Sequence, residues 1–167
     1  MSDNQLALRL EGSVSLSDLT DALDSFNGLI AALSEDIAPS VTIKWTVTGL
    51  ESGSAAATIS GEPAIGDDID DVKRIVQAYG IVGHALEGNK VIPYSPRVRE
   101  QARKLTTVLR GNVTAIRFRA ADEEEAIIVE QVAVKEPKLI ASYGSVEGRV
   151  LTLAIRRQMT FTLYRDC

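Results

Sequence analysis

Val41, Ile43, Trp45 and Val47 alternate with Thr42, Lys44, Thr46 and Thr48. A strict period of two, rich in β-branched residues, demands an extended strand with one buried side, because successive side chains point to opposite faces. Leu6, Leu8 and Leu10 repeat the pattern near the start of the chain. Between these stretches the apolar period changes. Leu16, Leu19, Leu23, Phe26, Ile30 and Leu33 recur at steps of three and four, one stripe of a helix. Ser15 and Asp18 form a capping-box pattern at its start, and Pro39 closes the loop behind it.

The same reading extends along the chain. Gly49 to Gly53 offers a turn from the Val41 strand into a second strand, Ala55 to Ser60, giving an antiparallel hairpin. Ile69, Val72, Ile75, Val76, Tyr79, Val82 and Leu86 mark a second helix, with Gly88-Asn89 suited to a left-handed cap. Ser95-Pro96 is an N-cap followed by proline at the first helical position. The third helix is expected to run to about Arg110, with Val98, Ala102, Leu105 and Leu109 buried. Val113 to Arg119 and Ala126 to Val134 read as two more strands, joined by the acidic turn Asp122 to Glu125. A last hairpin is expected between Ser145 and Tyr164, turning at Arg156-Arg157-Gln158.

The order β-α-β-β-α-α-β-β, followed by a hairpin, predicts an α+β fold: a mainly antiparallel sheet packed by about three helices. The expected division is an α+β domain over residues 1–138 and a C-terminal β-hairpin over residues 139–167. An isolated hairpin is marginal in water. The second part therefore reads as a partner for the main sheet, as a pairing edge for another chain, or as the start of a truncated small barrel of OB-like or SH3-like type.

Composition narrows the class. Hydrophobic residues make up 45% and charged residues 25%, enough for a core and ordinary for a globular chain. No apolar run approaches the roughly 18 residues needed to span a bilayer. The N-terminal Met-Ser-Asp-Asn-Gln lacks a basic region followed by an apolar stretch, so a cytoplasmic location is expected. Cys167 is the only cysteine, which rules out a disulfide within one chain and a cysteine-based zinc site.

Charge is unevenly spread. Residues 1–70 carry two basic and twelve acidic side chains, whereas residues 71–167 carry 16 basic and 11 acidic ones. Such asymmetry bears on partners more than the net charge of −5 does. Arg99, Arg103 and Arg110 fall within about 40° of one another at 100° per residue, forming a basic flank on the third helix. Arg117 and Arg119 share one face of the following strand, opposite Ile116 and Phe118. Arg149, Arg156, Arg157, Arg165 and Tyr164 lie in the terminal hairpin region and could engage phosphates or a nucleic acid.

Catalytic motifs are lacking. His84 is the only histidine and falls off the apolar stripe of its helix, so a solvent-facing position is expected. There is no Gly-x-Ser-x-Gly elbow, no phosphate-binding loop and no dinucleotide fingerprint. The run Asp67-Asp68-Ile69-Asp70-Asp71 lacks EF-hand spacing, and helix capping accounts for it. Asp122 to Glu125 reads as a solvated turn.

These features predict a non-catalytic protein–protein interaction module or adaptor that uses charge-complementary faces, without cofactor or metal. Its expected partner is another protein or a second copy of itself, with Arg99, Arg103, Arg110, Arg117 and Arg119 on the contact surface. The alternative is a nucleic-acid-binding protein using an arginine-rich face and the terminal barrel fragment. The acidic balance weighs against it. No membrane role is expected.

Overall fold

The computed structural model describes residues 2–51, 55–64, 69–110, 112–121, 124–133, 135–137, 149–155 and 159–164. Among these residues ten elements follow in chain order. They are β1 (Gln5–Gly12), α1 (Leu16–Ile37), β2 (Ile43–Glu51), β3 (Ala55–Pro63), α2 (Ile69–Glu87), α3 (Pro96–Thr106), β4 (Val113–Ala120), β5 (Ala126–Ile128), β6 (Arg149–Ile155) and β7 (Met159–Tyr164). The chain divides into two compact units, Met1–Glu136 and Pro137–Cys167.

In the first unit, five strands form one antiparallel sheet in the order β2-β3-β1-β4-β5. This is the α+β architecture that the periodicities predict. β1 and β2 run parallel with β3 between them, and β3 and β4 run parallel with β1 between them. Two split β-α-β units therefore interlock, and β5 extends the β4 edge. The terminal hairpin also forms: β6 and β7 pair antiparallel, with Leu153 opposite Phe161 and Ile155 opposite Met159. Its turn, Arg156 to Gln158, lies outside the described residues.

One face of the five-stranded sheet carries the core. Leu6, Leu8 and Leu10 of β1, Ile59 of β3, and Ile116 and Phe118 of β4 are buried under the helices. Tyr79 of α2 sits at the centre, its ring 5.6 Å from Phe26 of α1 and 5.0 Å from Phe118. Its hydroxyl donates to the Ala7 carbonyl of β1 at 3.0 Å, and burial holds the phenol protonated far above its ordinary range. Trp45 of β2 lies over Gly61 of β3. A Cβ on Gly61 would stand 2.7 Å from the indole and 2.8 Å from Val72.

The helix signals act as read, with local differences. Ser15 accepts from the Asp18 amide, and Asp18 accepts from the Ser15 amide, so the capping box is complete. The buried residues of α1 are Ala22, Phe26, Leu29, Ile30, Ala32 and Leu33, whereas Leu16, at the first turn, is 81% exposed. At the end of α2, Asn89 rather than Gly88 takes the left-handed conformation, at φ 47. Lys90 N then bonds Ala85 O, and Asn89 N bonds Leu86 O, the two bonds of a Schellman cap. α3 stops at Thr106 instead of reaching Arg110. The Thr106 and Thr107 hydroxyls donate back to the carbonyls of Arg103 and Lys104, which competes with continued helix. β5 is likewise only three residues long.

Candidate functional site: the open sheet face

Because side chains alternate along each strand, the neighbours of the core residues point away from the helices. Among the described residues this second face is the more exposed one: buried Leu6, Leu8 and Leu10 alternate with half-buried Gln5 and Ala7 and exposed Arg9, and we call it the open face. Strand register arranges it in rungs. Glu51 of β2, Ala56 of β3, Arg9 of β1, Arg117 of β4 and Ile127 of β5 form one rung; Gly49, Thr58, Ala7 and Arg119 form the next. Ala7, Arg9, Ala56, Thr58, Arg117 and Arg119, with Glu125 just before β5, line a shallow depression of about 100 Å³. Its floor is made of small side chains, so the guanidinium groups stand above it.

Arg9 lies directly opposite Arg117 across the β1–β4 ladder. Like charges facing one another in this way destabilise a sheet. Two carboxylates offset the repulsion. Arg117 Nε donates to Glu11 Oε1 at 2.6 Å, and its Nη1 donates to Glu125 at 3.3 Å. Arg119 approaches Glu125 more loosely, at 3.9 Å. Arg9 is exposed and has no carboxylate within ion-pair distance among the described residues. The hydrogen bond from Arg117 holds the Glu11 carboxyl below its ordinary range; desolvation opposes this, and the charges of Arg117 and Arg9 reinforce it. Around the β1–β4 ladder three guanidinium groups thus meet two carboxylates, while Lys44 and Glu62 stand opposite each other farther along the same face.

The five arginines expected on one contact surface do not come together. Arg117 and Arg119 occupy the open sheet face. Arg99, Arg103 and Arg110 belong to α3 and the turn after it, and α3 packs on α1 in the helical layer. Arg99 is largely enclosed: its side chain is only 11% exposed and meets Glu136 at 3.2 Å and the Tyr94 carbonyl. Its Nε is buried without a hydrogen-bond partner among the described residues. Arg103 and Arg110 are exposed, and neither has an ion-pair partner among the described residues. Glu125 is not part of a solvated turn but a bridge between Arg117 and Arg119. Arg9, absent from the expected set, completes the cluster. Sequence periodicity alone could place it on the polar side of β1, but not beside β4.

The other expected positions divide in two. Arg156, Arg157 and Arg165 lie outside the described residues, as do the side chains of Arg149 and Tyr164. Asp67, Asp68, Asp122 and Glu123 also lie outside them. Asp71 pairs with Arg74 at 2.9 Å. His84 is exposed, with Nδ1 3.3 Å from Glu87. No group of three His, Cys, Asp or Glu side chains is placed to hold a metal ion among the described residues.

A second depression, of about 400 Å³, lies between the end of α2 and the segment after β5. Its carboxylate, Glu87, accepts from the Ile127 amide at 3.1 Å. That bond caps an outward-facing amide on the β5 edge. It also holds the Glu87 carboxyl below its ordinary range, with His84 adding to the effect against desolvation.

No family model, curated protein or solved structure matches this chain. The functional reading therefore rests on the geometry above. No helix among the described residues is long and apolar enough to cross a membrane.

Proposed function

We propose that this protein is a non-catalytic recognition module that binds an acidic segment of another protein through its open sheet face. The observation that carries the reading is the juxtaposition of Arg9, Arg117 and Arg119 over a floor of Ala7, Ala56 and Thr58. Guanidinium groups bind carboxylates through paired, charge-assisted hydrogen bonds. Arg9 is available for such a bond, and Arg119 holds Glu125 at a distance that a ligand carboxylate can replace.

Nucleic acid is the weaker reading. Sheets that bind single strands stack bases on aromatic side chains. The central strands here offer Gln5, Ala7, Arg9 and Glu11, and Ala56, Thr58 and Ser60, on the open face.

Fluorescence anisotropy with a labelled deca-glutamate peptide tests the proposal, with deca-lysine and a ten-nucleotide single strand as comparators. Binding of the acidic peptide, weakened by salt and abolished in Arg9→Ala/Arg119→Ala, is expected. Absence of acidic-peptide binding, indifference to the double substitution, or tighter binding of the oligonucleotide would overturn it.

A further inference from the structure

The two edges of the five-stranded sheet are treated differently. At β5 the outward amide of Ile127 is taken by Glu87. At β2 the outer side of a nine-residue strand has no neighbouring strand in the sheet among the described residues. Unpaired edges are templates for pairing with another chain unless something blocks them.

The direction of the free groups on β2 is fixed by two hydrogen bonds. Ala64 N donates to Thr42 O at 2.9 Å, so Thr42 faces β3, and alternation then turns Lys44 and Thr46 toward β3 as well. Independently, Gly61 N donates to Asn4 O at 2.9 Å, so Gly61 faces β1 and not its β2 counterpart Trp45. The amides and carbonyls of Ile43, Trp45 and Val47 consequently point out of the sheet. Val47, on the same edge, is 57% exposed.

We propose that a second copy of this chain pairs antiparallel with β2 about a two-fold axis at Trp45. This register is self-complementary. Trp45 meets Trp45 of the second copy, and Ile43 of each copy meets Val47 of the other. All three outward-facing residues then oppose outward-facing residues, so each pair exchanges both main-chain bonds. The apolar side chains Ile43, Trp45 and Val47 fall together on one face of the new ladder, where β-branched and aromatic cross-strand pairs stabilise. Lys44 and Thr46 fall together on the other face, where each Lys44 stands across from Glu62 of its own β3. The β-bulge between Val47 and Gly49 lies just outside the paired stretch. The pairing joins two five-stranded sheets edge to edge. It does not depend on the acidic-partner reading.

Two experiments on the full-length chain test the pairing. Light scattering coupled to gel filtration is expected to give a concentration-dependent dimer, twice the 18.0 kDa chain mass. Val47→Pro removes an outward amide from each copy and no bond to β3. It is expected to weaken the dimer about tenfold or more, with circular dichroism reporting on the fold. The second arm places Lys44→Cys and Thr46→Cys in a Cys167→Ser background. In the proposed register these residues oppose one another as non-hydrogen-bonded pairs, with Cα atoms about 4.5 Å apart, within disulfide reach. A covalent dimer on a non-reducing gel is expected, and both substituted positions are exposed, so this arm does not perturb the core. A monomer at all concentrations with no cross-link, or a dimer indifferent to Val47→Pro and not cross-linked, would overturn the proposal.

Discussion

The guanidinium of Arg117 donates to the carboxylate of Glu11 at 2.6 Å, across 106 positions of sequence. It thereby joins the basic part of the chain to the acidic part. Because β1 lies between β3 and β4, the charge segregation seen along the sequence is mixed in space. What survives is a local cluster of three guanidinium groups, Arg9, Arg117 and Arg119, along the β1–β4 ladder.

Glu11→Gln should remove the charge-assisted half of that contact and leave Arg9 and Arg117 facing each other with one carboxylate fewer. The folded-state pKa of Glu11 lies below its ordinary value of 4.5. Its contribution to stability is therefore full above the unfolded-state pKa and is lost as pH falls through the lower folded-state value. Urea denaturation at pH 7 should show the variant less stable than the parent. In strongly acidic buffer the two midpoints should converge. A constant difference down to low pH would mean that the carboxylate charge is irrelevant.

Tyr79→Phe keeps the aromatic packing against Phe26 and Phe118 and deletes only the donor to Ala7 O. The loss should be about 1 kcal/mol, the ordinary net worth of a buried hydrogen bond. Equilibrium unfolding in urea measures it, and an unchanged midpoint would show that the bond adds nothing.

Gly61→Ala should cost about 1–3 kcal/mol, because the new methyl meets both the Trp45 indole and Val72. The Trp45 fluorescence spectrum should shift as the indole moves aside. An unaltered spectrum together with an unaltered thermal midpoint would contradict the contact.

Glu87→Ala uncovers the Ile127 amide at the β5 edge. Faster hydrogen exchange at Ile127 is expected, with greater aggregation on prolonged incubation, because a capped edge becomes an open one. Exchange at Ile127 equal to that of the parent would show that Glu87 does not guard this edge.

Much of the fold is legible in local pattern. The alternation of Leu6, Leu8 and Leu10, the Ser15–Asp18 box and the Ser95-Pro96 start each mark an element that the structure contains, because each depends on neighbours within a few residues. The candidate site is less legible. That Arg9 stands opposite Arg117 follows from strand order, a relationship between residues far apart in sequence. A helical wheel puts Arg99 with Arg103 and Arg110, yet it takes no account of the chain segment bearing Glu136 or the loop carbonyl of Tyr94, which enclose Arg99. Glu125 reads as a turn residue until β4 brings Arg117 and Arg119 beside it.

Amide chemical-shift mapping during titration with deca-glutamate tests the binding face most directly. The account predicts saturable shifts centred on Ala7, Arg9, Thr58, Arg117 and Arg119, with α3 undisturbed. Shifts confined to Arg103 and Arg110, or none at any peptide concentration, would contradict it.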